Sequence, residues 1–510
     1  TLQYEMSYSN ILNMLDLAGI PVLAADRGDE HPLIIAGGPC AFNAEPLADF
    51  IDFFILGEAE EAIEDVADAI VAWKKAGKPQ GRTGILEKVA AIEGVYVPAF
   101  YDVTYHDDGT LKAITPNNAA AKPTITKRIV KDLDQAPFPT KPVVPYLDIV
   151  HDRIMLELFR GCTRGCRFCQ AGVIYRPVRE RRPETLLKLA QELVDSTGYS
   201  EMSLTSLSSA DYSCLHDTVR QLIAQFKDQG VSVSLPSLRI DSFSIQLARE
   251  VQQVRKSGLT FAPEAGTQRM RDVINKGVTE QDLEEAVGSA FKAGWSTVKL
   301  YFMIGLPTET DEDVAGIAKL AYKVLDIYRT VKGRHGAKVT VSVSSFVPKP
   351  HTSFQWYGQN SIEEIERKQR LLKTLLRDRS ISFSWHDAQI SFLEVVFARG
   401  DRRVGKALLA AWRGGAKFDG WSEHFHYDVW MEAFKESGVD PYFYAERERA
   451  QDELLPWDHL SAGVDKKFLS REYERALSGD LTVDCRRDHC STCGVCQGLG
   501  VNVVDWGAGV

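Results

Sequence analysis

The sequence predicts an α/β protein: a partial six-stranded, TIM-like parallel barrel, preceded by an open Rossmann-like layer and followed by a mostly helical, cysteine-rich tail. Three observations predict it. From Ile154 onward short apolar runs alternate with amphipathic stretches, before Ile154 apolar runs end on glycine, and beyond Ser384 the pattern turns helical and closes on four spaced cysteines. Repeated strand and helix units imply a parallel sheet. Glycine-closed apolar runs suit strands buried on both faces.

The chain opens on Thr1 and a strand-like Leu2-Gln3-Tyr4-Glu5-Met6 with no initiator Met, which reads as a trimmed terminus. Strand candidates at 33–38 and 52–56 end in Gly37-Gly38-Pro39 and Gly57-Glu58, with helical stretches at 10–17, 45–50 and 60–75. Residues 1–105 form the Rossmann-like domain. Residues 106–150, with Pro137, Pro139, Pro142 and Pro145, read as a linker. The barrel spans 151–380, with strands at 154–159, 202–206, 231–240, 259–264, 298–305 and 339–346. Amphipathic helices fall at 185–196, 215–226, 244–256, 280–292, 311–328 and 363–377. Such barrels gather their chemistry at the carboxyl ends of the strands. Residues 381–510 hold helices at 390–398 and 405–412, an aromatic stretch around Trp421, Phe425, Tyr427 and Trp430, and the cysteine-rich end.

At 510 residues two or three domains are expected, and 44% hydrophobic with 25% charged residues is the composition of an ordinary globular protein. Sixty Lys and Arg stand against 70 Asp and Glu, a net charge of -10 that excludes a broad, sequence-blind nucleic-acid coat. No signal-peptide pattern and no apolar run of roughly twenty residues occurs, so a cytoplasmic protein without a membrane span is the expectation. Nine cysteines fall in two tight groups plus Cys40 and Cys214, a ligand pattern that suits a reducing compartment.

Directly after the first barrel strand comes Arg160-Gly161-Cys162-Thr163-Arg164-Gly165-Cys166-Arg167-Phe168-Cys169, spaced C-x3-C-x2-C with an aromatic before the last cysteine. Three thiolates can hold three irons of a cubane and leave the fourth open to a cofactor. A structural zinc knuckle would want a fourth ligand, and no further cysteine lies nearby. This stretch resembles the radical S-adenosylmethionine (SAM) superfamily, whose hallmark is C-x3-C-x-aromatic-C after the first strand of a partial barrel. The resemblance implies a [4Fe-4S] cluster on Cys162, Cys166 and Cys169 and reductive cleavage of SAM to a 5'-deoxyadenosyl radical. It also implies a reductant such as ferredoxin or flavodoxin.

It further assigns SAM contacts: Phe168 in the cluster loop, Ser206, Ser208 and Ser209 after the second strand, and Ser234, Ser237 and Arg239 on the third. Glu264 ends the fourth strand, and Ile304 and Gly305 lie in the fifth-strand ending 301–309, which resembles the family's apolar-Gly-x-Pro-x-Glu element beside adenine. For the polar residues among them a structural hydrogen bond is the competing reading.

The glycine-closed strands contain no G-x-G-x-x-G, so a dinucleotide site is a poor reading. They resemble the cobalamin-binding domain of one radical SAM class, which implies that Gly37, Gly38 and Gly57 let a corrin approach the backbone. No D-x-H-x-x-G occurs to supply a cobalt ligand, which leaves a scaffold domain as the alternative. In the tail Cys485, Cys490, Cys493 and Cys496 form C-x4-C-x2-C-x2-C, a donor set for a second iron-sulfur cluster or a zinc ion.

Arg176, Arg179, Arg181 and Arg182, and also Arg399, Arg402 and Arg403, are basic groups for which ion pairing with Glu180, Glu184 and Asp401 is favoured over RNA contact. His386 beside Asp387 is either a proton carrier or a satisfied structural histidine. The functional expectation is a radical SAM enzyme acting on RNA, protein or a small molecule, with cobalamin-dependent methyl transfer as the specific form. A methylthiotransferase-like, sulfur-inserting RNA modification enzyme and a non-catalytic iron-sulfur redox protein are the alternatives.

Overall fold

The computed structural model describes residues 1–235, 240, 259–333 and 336–507. Ser237, Arg239 and the helix expected at 244–256 lie outside the described residues. Ile154–Glu157, Glu201–Thr205 and Ser232–Ser234 form a three-stranded parallel sheet with Glu201–Thr205 central. Leu259–Glu264, Thr297–Ile304, Lys338–Ser345 and Ile381–Trp385 form a four-stranded parallel sheet in that order. The last strand exceeds the six expected. Its sequence, Ile-Ser-Phe-Ser-Trp, buries only its first residue, whereas the neighbouring Lys338–Ser345 buries four.

The barrel helices begin where local chemistry lets them. Pro183 opens Pro183–Thr197, which stops at the left-handed Gly198. Thr279 and Asp282 close a reciprocal capping box on Glu280–Lys292. Leu300 and Phe302 from the sheet pack with Leu320, Ala321 and Val324 of Asp311–Lys332 in one core, while Leu156 and Leu204 pack with Leu189 and Val219 in another. Each such large side chain contributes roughly 1.5–3 kcal/mol by leaving water.

At the amino terminus Leu2 to Met6 is not a strand. Leu2 bonds to Gly37 at 2.6 Å, a 3-10 turn covers Glu5–Ser7, and a helix follows at Tyr8–Leu17. The short strands Ile35–Gly37 and Phe53–Ile55 pair in parallel, and Val95–Tyr96 adds an antiparallel edge. This three-stranded layer cannot bury its own faces. Val395, Val396 and Phe397 of Ala388–Arg399 and Trp430 of Tyr427–Ser437 complete the core around Tyr8, Phe50 and Phe54. Leu460–Ser461 pairs with Ile125–Thr126. Among the described residues no helix is long and apolar enough to cross a membrane.

Candidate active site

The first barrel strand runs on into Phe159–Arg160, which pairs antiparallel with Arg179–Glu180. Residues 161–178 therefore leave the sheet and return to it as one closed excursion carrying Cys162, Cys166 and Cys169. Its entry demands glycine. Gly161 has φ +89°, and a Cβ there would meet the Pro177 carbonyl oxygen at 2.3 Å.

The excursion is pinned from two distant segments. Buried Arg167 donates to the carbonyls of Asp272 (3.2 Å), Val273 (3.0 Å) and Asp480 (2.6 Å) and pairs with Glu472 at 3.2 Å. Asn275 donates to the Gly165 carbonyl at 3.1 Å and the Thr482 carbonyl at 3.0 Å.

All three loop cysteines are free thiols. Burial, then the neighbouring Cys166, raises the Cys162 pKa, and burial pushes Cys169 up to about 12. Metal ligation must therefore release protons from them. Among the described residues no three His, Cys, Asp or Glu side chains gather tightly enough for one metal ion. A cubane is a different demand, because each thiolate binds a separate iron. Three mutually interacting thiols without a fourth fit such a cluster with one open iron.

The residues expected to hold SAM divide. Ser208 is buried with an unpartnered hydroxyl in a cavity of about 400 Å³ that also exposes Cys162, Asp211 and Arg486. An orphan buried donor is what a polar cofactor would satisfy. Ser206 is bound to Ser209 at 3.2 Å, and Ser209 donates to the Leu204 carbonyl at 3.0 Å, so these two also serve the turn itself. Among the described residues Ser234 makes only long contacts of 3.4 Å, to the Met202 carbonyl and Glu201.

Glu264 sits at φ +68° beside a register shift and pairs with Lys276 at 3.1 Å. A non-glycine residue in the left-handed region is strained, a feature found at functional sites. Ile304 is fully buried. Gly305 donates its N–H to Glu309 at 2.7 Å, and Glu309 in turn pairs with buried Lys368 at 2.9 Å. Burial pushes the Glu309 carboxyl up, and Lys368 opposes that shift. The fifth-strand motif thus clamps its own turn.

Phe168 faces a second cavity, of about 330 Å³, at the carboxyl ends of the fifth and sixth strands, with Met303, Ser345, Lys349, His386 and Glu394 around it. Lys349 lies between Glu5 at 2.7 Å and Glu394 at 2.8 Å, and Tyr4 donates to Glu394 at 2.9 Å. The Ser345 hydroxyl is buried without a partner. Ser391 donates to the Asp387 carbonyl at 3.0 Å, so its oxygen accepts from His386 Nδ1 at 2.8 Å. Sequence reasoning missed Lys349, Glu5 and Glu394 as a group, because they meet across about 390 residues and no local spacing announces them.

The glycines assigned to a corrin are otherwise engaged. A Cβ on Gly38 would meet the Leu2 carbonyl oxygen at 2.7 Å, and one on Gly57 the Arg128 carbonyl oxygen at 2.1 Å. Gly37 lies against its strand neighbour Ile55 at 3.1 Å. Their missing side chains admit this chain's own backbone.

The arginine groups are structural, with partners other than those expected. Arg179 pairs with Glu58, Arg402 with Glu45, and Glu180 receives Arg486, while Arg403 pairs with Asp401 as the sequence suggests. In the tail Cys493 is buried against Trp356, Trp457 and Phe468, while Cys490 is exposed.

A family model described as Radical SAM proteins, N-terminal, matches residues 1–98, and one described as Radical SAM superfamily matches residues 156–321. An uncharacterized protein of Methanocaldococcus jannaschii is 31% identical over 416 residues, covering 80% of this chain and 78% of that protein. An uncharacterized methyltransferase of Pyrococcus horikoshii is 23% identical over 309 residues, 59% of each. Among solved structures, the radical S-adenosylmethionine methyltransferase TsrM from Kitasatospora setae, with cobalamin and a [4Fe-4S] cluster bound, is 13% identical. The match covers 67% of this chain and 61% of that one, with a TM-score of 0.42.

Proposed function

This chain belongs to the radical SAM superfamily, and from that premise we propose that it is an enzyme using Cys162, Cys166 and Cys169 to hold the cluster at which SAM is cleaved. The observation that carries the reading is the closed excursion with three interacting thiols and no fourth, beside the orphan Ser208 hydroxyl. A [4Fe-4S] cluster there supplies the electron that cleaves SAM and so yields the radical that takes a hydrogen atom from substrate. Arg167 and Asn275 hold the loop to the barrel mouth, Ser208 and Glu264 offer polar contacts to SAM, and Phe168 covers one side of it. Ser206, Ser209, Ser234, Ile304 and Gly305 shape the remaining walls, and Arg239 belongs to the same proposal.

The cavity beside Phe168 is the place we assign to substrate. Its size falls at the low end of small-molecule sites, so it would admit a small metabolite or one residue of a larger partner. Methyl transfer is the product chemistry favoured by the named Pyrococcus relative. At Gly37, Gly38 and Gly57 the space of a missing side chain admits this chain's own backbone, and no step is assigned to cobalamin. The reaction needs a one-electron reductant, for which ferredoxin or flavodoxin is our reading. All nine cysteines are free, which supports a reducing compartment such as the cytoplasm.

Anaerobic incubation of the reconstituted protein with SAM and dithionite tests the proposal. Formation of 5'-deoxyadenosine or a methylated product, abolished by Cys166→Ala, is the expected result. A methylthiolated product would return the sulfur-inserting reading, and absence of SAM cleavage would leave only an electron carrier.

A further inference from the structure

Arg176 is about 95% buried, with 5% of its surface exposed, and of its guanidinium nitrogens only Nε has a bonded partner among the described residues, the Gly172 carbonyl at 2.7 Å. Its neighbours in the loop are satisfied: Arg167 by Glu472, Arg179 by Glu58, Arg181 by Glu157. No carboxylate pairs with Arg176 among the described residues. Its Nη1 and Nη2 are therefore open to an anion.

The guanidinium neighbours the cluster loop and also the core that holds Cys493. On one side Nη2 is 3.9 Å from the position a Cβ would take on Gly165, next to Cys166. On the other, the guanidinium stands 5.7 Å over the ring of Phe468, which packs in the same core as Cys493.

Local hydrogen bonds fix the backbone beside two of the tail sulfurs. Thr492 turns into the left-handed region at φ 55° and donates its N–H to Cys490 Sγ at 3.4 Å. Cys493 is held by its carbonyl, which accepts from Asp465 N–H at 3.0 Å. The whole segment is fastened beside the cluster loop, with Arg486 on Glu180 at 2.6 Å and Arg164 near Asp484 at 3.6 Å.

We propose that Cys485, Cys490, Cys493 and Cys496 bind a second thiolate-ligated metal centre, and that Arg176 is the buried counter-charge shared between it and the first. Four thiolates around Zn²⁺, or around a cubane, leave the centre anionic, so either satisfies the cation. Among the described residues no three of these side chains gather tightly enough for one metal ion, so metal binding draws the tail sulfurs together and releases their protons. The shared role of Arg176 rests on the reading of Cys162, Cys166 and Cys169 as a cluster site. The tail centre stands without it.

The test is iron, sulfide and zinc analysis with EPR on the full-length chain purified anaerobically, as wild type, Cys490→Ala, Cys496→Ala, Cys166→Ala, Arg176→Met and Arg176→Lys. Because Cys490 is exposed, its replacement leaves the fold intact. The expected result is loss in both tail variants of about four irons, or alternatively of about one zinc, while the SAM-responsive EPR signal persists. The first identifies a cluster and the second a zinc site.

Unchanged metal content in both tail variants overturns the second centre. Arg176→Met is expected to shift the SAM-responsive cluster to lower reduction potential and to lower tail occupancy, with Arg176→Lys restoring both. An unmoved potential and occupancy overturn the role of Arg176. If Cys166→Ala keeps the SAM-responsive signal, the failure belongs to the first site and not to the tail.

Discussion

Arg179 forks onto Glu58, with Nη1 and Nη2 at 2.7 and 2.6 Å from the two carboxylate oxygens and both side chains buried. This pair joins the Gly57-Glu58 turn of the amino-terminal layer to the strand that closes the cysteine loop. Leaving one member of such a pair alone costs about 3–5 kcal/mol. Glu58→Gln is therefore expected to lower the thermal midpoint strongly, measured by calorimetry, and Glu58→Gln with Arg179→Met to lower it less than the single change.

His351 gives a pH dependence. Its Nε2 donates to the Phe42 carbonyl at 2.9 Å, and burial lowers its pKa to about 4. The unfolded chain takes up a proton below about 6.5, but the folded one resists until about 4. Stability is thus complete above that range and declines as pH falls through it, by roughly 3 kcal/mol in all. His351→Gln should flatten this part of the denaturation profile, and an unchanged slope between those values would remove His351 as its source.

Gly161→Ala should lower iron incorporation during reconstitution, since the methyl group collides with the Pro177 carbonyl and would displace the loop. The control is Gly277→Ala, at φ +62° with open space around it, which should cost only about 1–2 kcal/mol of backbone strain and leave iron content unchanged. Equal iron content in the two variants would show that the collision is absorbed.

Glu309→Gln should weaken SAM binding by about tenfold, some 1.4 kcal/mol, because the acceptor for Gly305 N–H is weakened and Lys368 loses its counter-charge. Equilibrium dialysis with the reconstituted protein checks this, and Lys368→Met alongside Glu309→Gln should recover stability before it recovers affinity.

The alternation of strand and helix patterns from Ile154 announced the barrel because each strand buries apolar side chains such as Val298, Leu300 and Phe302, and the cysteine spacing announced the loop because all three ligands lie within eight residues. Ile381–Trp385 escaped because it is a short edge strand that buries only Ile381. Gly38 and Gly57 were correctly seen as positions of close approach, but sequence spacing does not say whether a ligand or Leu2 and Arg128 does the approaching. Glu309 looked like part of a nucleoside site, and its hydrogen bond to Gly305 gives it a backbone role that a linear motif conceals.

The anchors of Arg167 include Glu472 and the Asp480 carbonyl, more than three hundred positions downstream. During synthesis the cysteines therefore leave the ribosome long before the groups that seat their loop have been made. Seating of the loop that carries Cys162, Cys166 and Cys169 waits for residues as late as Asp480, and until they are made the three thiols stand on a segment that lacks its anchors.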